Sequence, residues 1–204
     1  MDNNDIKNIV YTDEFENLLK DEAEKAEIMS ILHMKMHEKY QKLSSFINMP
    51  VIVISSMIGF LSQLKISNYQ SEILGAVSIL VAILKTIDNY YDYTKKTETH
   101  RIISLQYSKI SKFIQIQLLL DRNTRINAKD LLDIIIYDLQ NIKDSEPIIS
   151  TDIIEFFNNK YDKYKNICKP NIVNGLTEVK ILRDSIINEI NSINNNNSDE
   201  KNNI

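Results

Sequence analysis

The stretch FINMPVIVISSMIGFLSQL, Phe46 to Leu64, carries no charged side chain. With Leu43, Ser44 and Ser45 it forms a run of roughly 22 uncharged residues, about 33 Å as α-helix and enough to cross a bilayer core. Pro50 interrupts the run: it either kinks one long helix or stands in the first turn of a shorter one beginning near Asn48. A polar link follows, KISNYQSE from Lys65 to Glu72, and then ILGAVSILVAIL from Ile73 to Leu84. Alone, this second segment has the length of a buried core helix. Extended over residues 66–87 it reaches membrane length, with Glu72 near one interface and Lys85 reaching for water at the other.

A soluble bundle hiding two such helices in its core is the competing reading, since helices apolar on every face occur in large cores. A chain of 204 residues with four further amphipathic segments is too short to cover both. The flanking charges point to lipid. Lys35, Lys39 and Lys42 precede the first segment; Lys85, Lys95, Lys96 and Arg101 follow the second; the link holds only Lys65. Positive outer flanks around a nearly uncharged turn predict a transmembrane hairpin, spans about 43–64 and 66–87, with both termini cytosolic. Lys39, Lys42, Lys85, Lys95 and Lys96 are then interface candidates, joined by Tyr90, Tyr91 and Tyr93, whose rings suit the headgroup layer. Ser55 with Gly59, and Ser78 with Ala82, form small-x-x-x-small pairs that would let helix backbones approach closely in lipid.

The remaining pattern is helical throughout, with 3 Gly and 3 Pro leaving little punctuation for strands. The expected class is all-α. Residues 1–42 form an amphipathic cytosolic helix, with Phe15, Leu18, Leu19, Ala26, Met29, Leu32, Met36 and Tyr40 near helical spacing. Residues 88–193 form a cytosolic helical bundle. Within it Ile103, Tyr107, Ile110, Ile114 and Leu118 step by threes and fours as a heptad seam, needing a partner in this chain or in another copy. Asn127 suits an N-cap, Thr151 or Asp152 another, and a last helix is expected over 177–193 before a disordered tail, 194–204. The N-terminal thirty residues lack the apolar core of a secretory signal.

This order of parts resembles the SLATT superfamily of two-transmembrane domains. The resemblance runs over approximately residues 20–165: a helix ending HEKYQKLSSFINMP, the span VIVISSMIGFLSQL, a very short link, a second span, and then DYTKKTETHRIISLQYSKISKFI. Tyr93, His100 and Tyr107 stand in its most specific element, and Glu146-Pro147-Ile148-Ile149 also fits the pattern. The resemblance implies a membrane effector that oligomerises to perturb or permeabilise a bilayer. The second span is short for the family, and no sensor domain is expected within these 204 residues. A structural membrane scaffold without transport activity is the alternative.

Chemical motifs are sparse. His33 and His37 share a helix face but lack a third metal ligand, and read as surface histidines near the interface. His100 reads as lying on the polar side of its helix. Cys168 stands alone, so no internal disulfide or thiolate zinc site is available, and it reads as a partly buried thiol. Three scattered glycines make no phosphate loop. The net charge of −4 supplies no basic field for nucleic acid. The sequence thus predicts no catalytic group, no cofactor and no metal. Its expected partners are the bilayer and further copies of itself.

Overall fold

The computed structural model describes residues 10–64, 68–161 and 167–175. Among them there is no strand: the order is α1 (Asp13–Leu61), α2 (Gln70–Tyr91), α3 (Tyr93–Leu119), a 3₁₀ turn at Arg122–Thr124, α4 (Ala128–Lys143), α5 (Thr151–Tyr161) and the short α6 (Asn171–Asn174). The expected helix at 177–193 and tail at 194–204 lie outside the described residues.

α1 runs through Leu43 without a break. α1 is one helix of 49 residues, about 74 Å long, and Pro50 lies inside it. Thr12 caps its start, accepting from the Phe15 N–H at 3.2 Å, and Asp13, Glu14 and Glu16 complement the positive end of the helix dipole. Pro50 removes one N–H from the ladder, and the chain continues helical to Leu61 all the same.

α2 starts later than the sequence suggests and runs on past Lys85 to Tyr91. Asp92 then adopts a left-handed conformation, φ 49° and ψ 46°, which aspartate tolerates better than most residues. Its N–H donates to the Asp88 carbonyl at 2.9 Å, and its own carbonyl accepts from the Lys96 N–H at 3.1 Å. One residue therefore closes α2 and opens α3 without a loop.

Two contacts lay α2 antiparallel against the end of α1. Gln70 donates to the Leu61 carbonyl, and Lys85 donates to Asn48 Oδ1 at 2.7 Å.

The core sits along the first half of α1. Leu19, Ala23 and Ala26 pack with Ile103, Tyr107, Ile110 and Ile114 of α3 and with Leu131, Ile135 and Ile142 of α4. A second cluster joins Ile28, Leu32 and Met36 to Ile149 and to Phe157 of α5. The heptad seam of α3 is thus filled by α1 of the same chain. At the far end Arg125 gathers four neighbours: it donates to Glu16 and to the carbonyls of Leu118 and Leu120, and it lies 5.1 Å over the Tyr11 ring. Arg122 adds bonds to Glu16 and Asp13, and together the two guanidinium groups hold the Glu16 carboxyl down at about 2.

Candidate functional site

Below its apolar stretch the α1–α3 seam turns polar and aromatic. Ser30 meets Ser104, His33 meets His100, His37 Nδ1 donates to the Thr97 carbonyl, and Tyr40 meets Tyr93. Each helix advances three or four residues per rung, the spacing that keeps side chains on one face.

The deepest rung is a relay. His33 Nδ1 is 2.9 Å from His100 Nδ1, and His33 Nε2 is 2.9 Å from Glu146 Oε1. The Tyr107 hydroxyl donates to Glu146 Oε2 at 3.1 Å. His33 is fully buried and His100 is 1% exposed, so both are correctly described as core residues, contrary to the surface placement expected from sequence. The carboxylate accepts the Nε2–H of His33. That leaves one proton for the Nδ1–Nδ1 contact, because two N–H groups cannot face each other there. Burial holds His100 down at about 4, and the neighbouring His33 pushes the same way. Burial and the adjacent carboxylate raise the Tyr107 phenol. Tyr40 stacks on His100 and Tyr107 on His33, closing the relay off.

Glu146 lies in the connection between α4 and α5, so the relay ties that connection to α1 and α3 at once. Nearby, Lys39 donates to Ser150 and to both oxygens of Asp152. Expected as an interface residue, Lys39 here fastens the start of α5. Chemically the relay links two imidazoles, a carboxylate and a phenol by hydrogen bonds. It presents no nucleophile to a substrate, and among the described residues no group of three histidine, cysteine or acidic side chains could hold a metal ion.

Nearer the uncharged segments a second polar group forms. Lys85 donates to Asn48 Oδ1 and to Asp88 Oδ2 at 2.8 Å; Asp88 is buried, and its Oδ1 has no partner. Lys85 is therefore tied down rather than extended alone toward water. Tyr90 and Tyr91 are exposed, Tyr93 is half-buried between Tyr91 and Tyr40, and Lys96 lies 5.8 Å over the Tyr40 ring. Lys42 and Lys95 are exposed.

Along the uncharged part of α1 and α2, the half-buried apolar positions are Ile47, Val51, Ile54, Ile58 and Leu61 on one helix and Leu74, Val77 and Val81 on the other. Ser55, Gly59, Ser78 and Ala82 are exposed and lie off that seam. A Cβ added at Gly59 would meet nothing within 4 Å, so the small-residue pairs do not serve the contact within one chain.

Cys168 is half-buried, its N–H held by Glu24 at 2.7 Å and its thiol pushed up by burial and by Asp21. A cleft of about 400 Å³ opens between α1, α3 and α5, floored by Ala23, Ile28, Leu118 and Phe157 and rimmed by charges of both signs, Lys20, Glu24, Glu27 and Lys169.

His100 was within reach of sequence reasoning: it stands three residues before Ile103, one step back along the seam. Glu146 carries no such periodic signal. No protein-family model matches this chain, and no curated protein or solved structure shows significant similarity to it.

Proposed function

We propose that this protein is an integral membrane effector: the second half of α1 and α2 cross a bilayer as a pair, α1 and α3–α5 form a cytosolic head, and associated copies perturb the membrane. One observation carries the reading. Both long helices contain an apolar window of membrane-spanning length, and none of either window is buried. Phe46, Ile52, Phe60, Ile79 and Leu80 are each at least 60% exposed. A core helix of a soluble protein would have these side chains inside. In lipid each contributes roughly −0.3 to −0.6 kcal/mol near the centre of a span.

The spacing of aromatic residues agrees. Exposed Tyr69 and Tyr90 flank α2, about 32 Å apart along the axis, close to the thickness of a hydrocarbon core. The Asn48–Lys85–Asp88 group then sits just inside one headgroup layer, where a mutually bonded lysine and aspartate cost less than isolated charges. The order of parts resembles that of SLATT effectors.

Reconstitution of the full chain into dye-loaded liposomes tests the reading. Release that rises with protein-to-lipid ratio supports it; tight vesicles containing inserted protein contradict the effector role.

A scaffold role is the second reading, favoured by the hydroxyls of the spans. Ser56, Ser62, Ser78 and Thr86 each donate to a carbonyl of their own helix, which leaves little polar lining for a water-filled path. Inserted protein in tight vesicles is the result this role expects.

A further inference from the structure

The seam that α3 presents to α1 is full, yet α3 carries a second stripe on its opposite side. Ile102, Leu105, Lys109, Lys112, Ile116 and Leu119 alternate steps of three and four, and all six are exposed. The four apolar members range from 43% to 86% exposed. Two lysines therefore sit in the middle of an uncovered apolar stripe, and among the described residues neither makes a hydrogen bond or ion pair.

Such a stripe cannot pair with itself. Lys109 and Lys112 stand symmetrically about its centre, so parallel and antiparallel self-pairing both set cation against cation. Its complement is a helix face that sets acids beside apolar side chains. α4 carries one. Asp130, Asp133 and Tyr137 follow helical spacing on the side away from its buried residues Leu131, Ile135 and Ile142, with Ile134 and Ile136 beside them. All five are exposed, Tyr137 at 65%, and neither aspartate has an ion-pair partner among the described residues.

We propose that the α3 stripe of one copy docks on the outer face of α4 of a second copy. Ile102, Leu105, Ile116 and Leu119 supply the apolar contact, while Lys109 and Lys112 meet Asp130 and Asp133. Charge complementarity selects the partner: this chain carries both halves of the match on different helices, so every copy offers a donor face and an acceptor face. The inference rests on the head described above. It deepens the association invoked for the membrane effector, but does not depend on permeation.

Charge exchange tests it, with full-length protein in a mild detergent and its mass distribution measured over a dilution series. Wild type is expected to associate. Lys109→Glu with Lys112→Glu, and separately Asp130→Lys with Asp133→Lys, should each shift the dissociation midpoint upward by at least about tenfold. Mixing the two variants should restore association, because each then meets the opposite charge at both faces. Helical content by circular dichroism identifies any variant that fails to fold, and Leu105→Ser provides a second, charge-independent disruption of the same stripe. A monomeric wild type would overturn the proposal and leave the stripe to an acidic partner of another kind. So would association that both charge variants retain, or association that their mixture does not recover. Dye release is a separate readout: loss of release with association intact would count against the effector reading alone.

Discussion

His33 bonds through both ring nitrogens, to His100 on one side and to Glu146 on the other, each at 2.9 Å. One imidazole thereby joins α1, α3 and the α4–α5 connection. Most of the head's apolar packing runs along α1, and this relay joins the Lys39–Asp152 and Arg125–Glu16 bonds in tying later segments to it.

Removing Glu146 should loosen that tie. Glu146→Ala leaves the His33 N–H and the Tyr107 hydroxyl unpaired in a closed site, at a cost of about 2–4 kcal/mol. Glu146→Gln keeps an acceptor oxygen and should recover part of the loss. Thermal unfolding of the two variants measures the difference. Equal, negligible losses would show that the relay does not hold the connection.

Acid should weaken the head through His100. Unfolded histidine has a pKa near 6.5, whereas folded His100 stays neutral until about 4. Between those values the unfolded chain binds the extra proton. Stability is therefore fully present above about pH 6.5 and falls as pH drops toward 4, by on the order of 2–3 kcal/mol. The groups around His100 are His33 and His37 on α1 and Glu146 after α4. His100→Phe should flatten the pH dependence of the melting temperature in this window. An unchanged slope would assign it elsewhere.

Arg125 should resist conservative replacement. Its fork bonds Glu16 and two α3 carbonyls at once, and lysine, a single point donor, reaches one of them. Arg125→Lys is expected to cost about 1–3 kcal/mol in denaturant unfolding, most of the loss seen for Arg125→Ala. Full stability in Arg125→Lys would reduce the fork to a surface decoration.

The Lys85–Asp88 pair should show coupling. Lys85→Ala strips a buried carboxylate of its cation and should destabilise the detergent-solubilised protein strongly, about 3–5 kcal/mol. Adding Asp88→Ala should return much of that loss, because the orphaned charge goes with it. Simple additivity would mean that the two side chains act independently.

The sequence made the helices legible because their signals are local. Asn127 and the apolar spacing of α1 and α4 mark elements without reference to the rest of the chain. It left open whether Pro50 kinked one long helix or stood in the first turn of a shorter one, since proline tolerance depends on what surrounds it. The break at Asp92 carried no glycine or proline and went unmarked. The seam of α3 was visible as a period, but its partner was not, because periodicity tells which face is buried and not by what. The histidines were misplaced for a related reason. Polarity argues for the surface unless a partner is known, and the partner of His33 lies 113 residues away at Glu146. The interface lysines divide in the same way: Lys39 and Lys85 found acids inside the chain, while Lys42 and Lys95 did not.

The central claim is that the exposed apolar faces of α1 and α2 lie in hydrocarbon. Alkaline carbonate extraction of membranes from cells expressing the full chain tests it most directly, combined with impermeant labelling of a cysteine placed at Ser71 in a Cys168→Ser background. The protein is expected to stay in the pellet, and the cysteine to react only from the side opposite the termini. Release into the supernatant as a monodisperse species without detergent would contradict the claim.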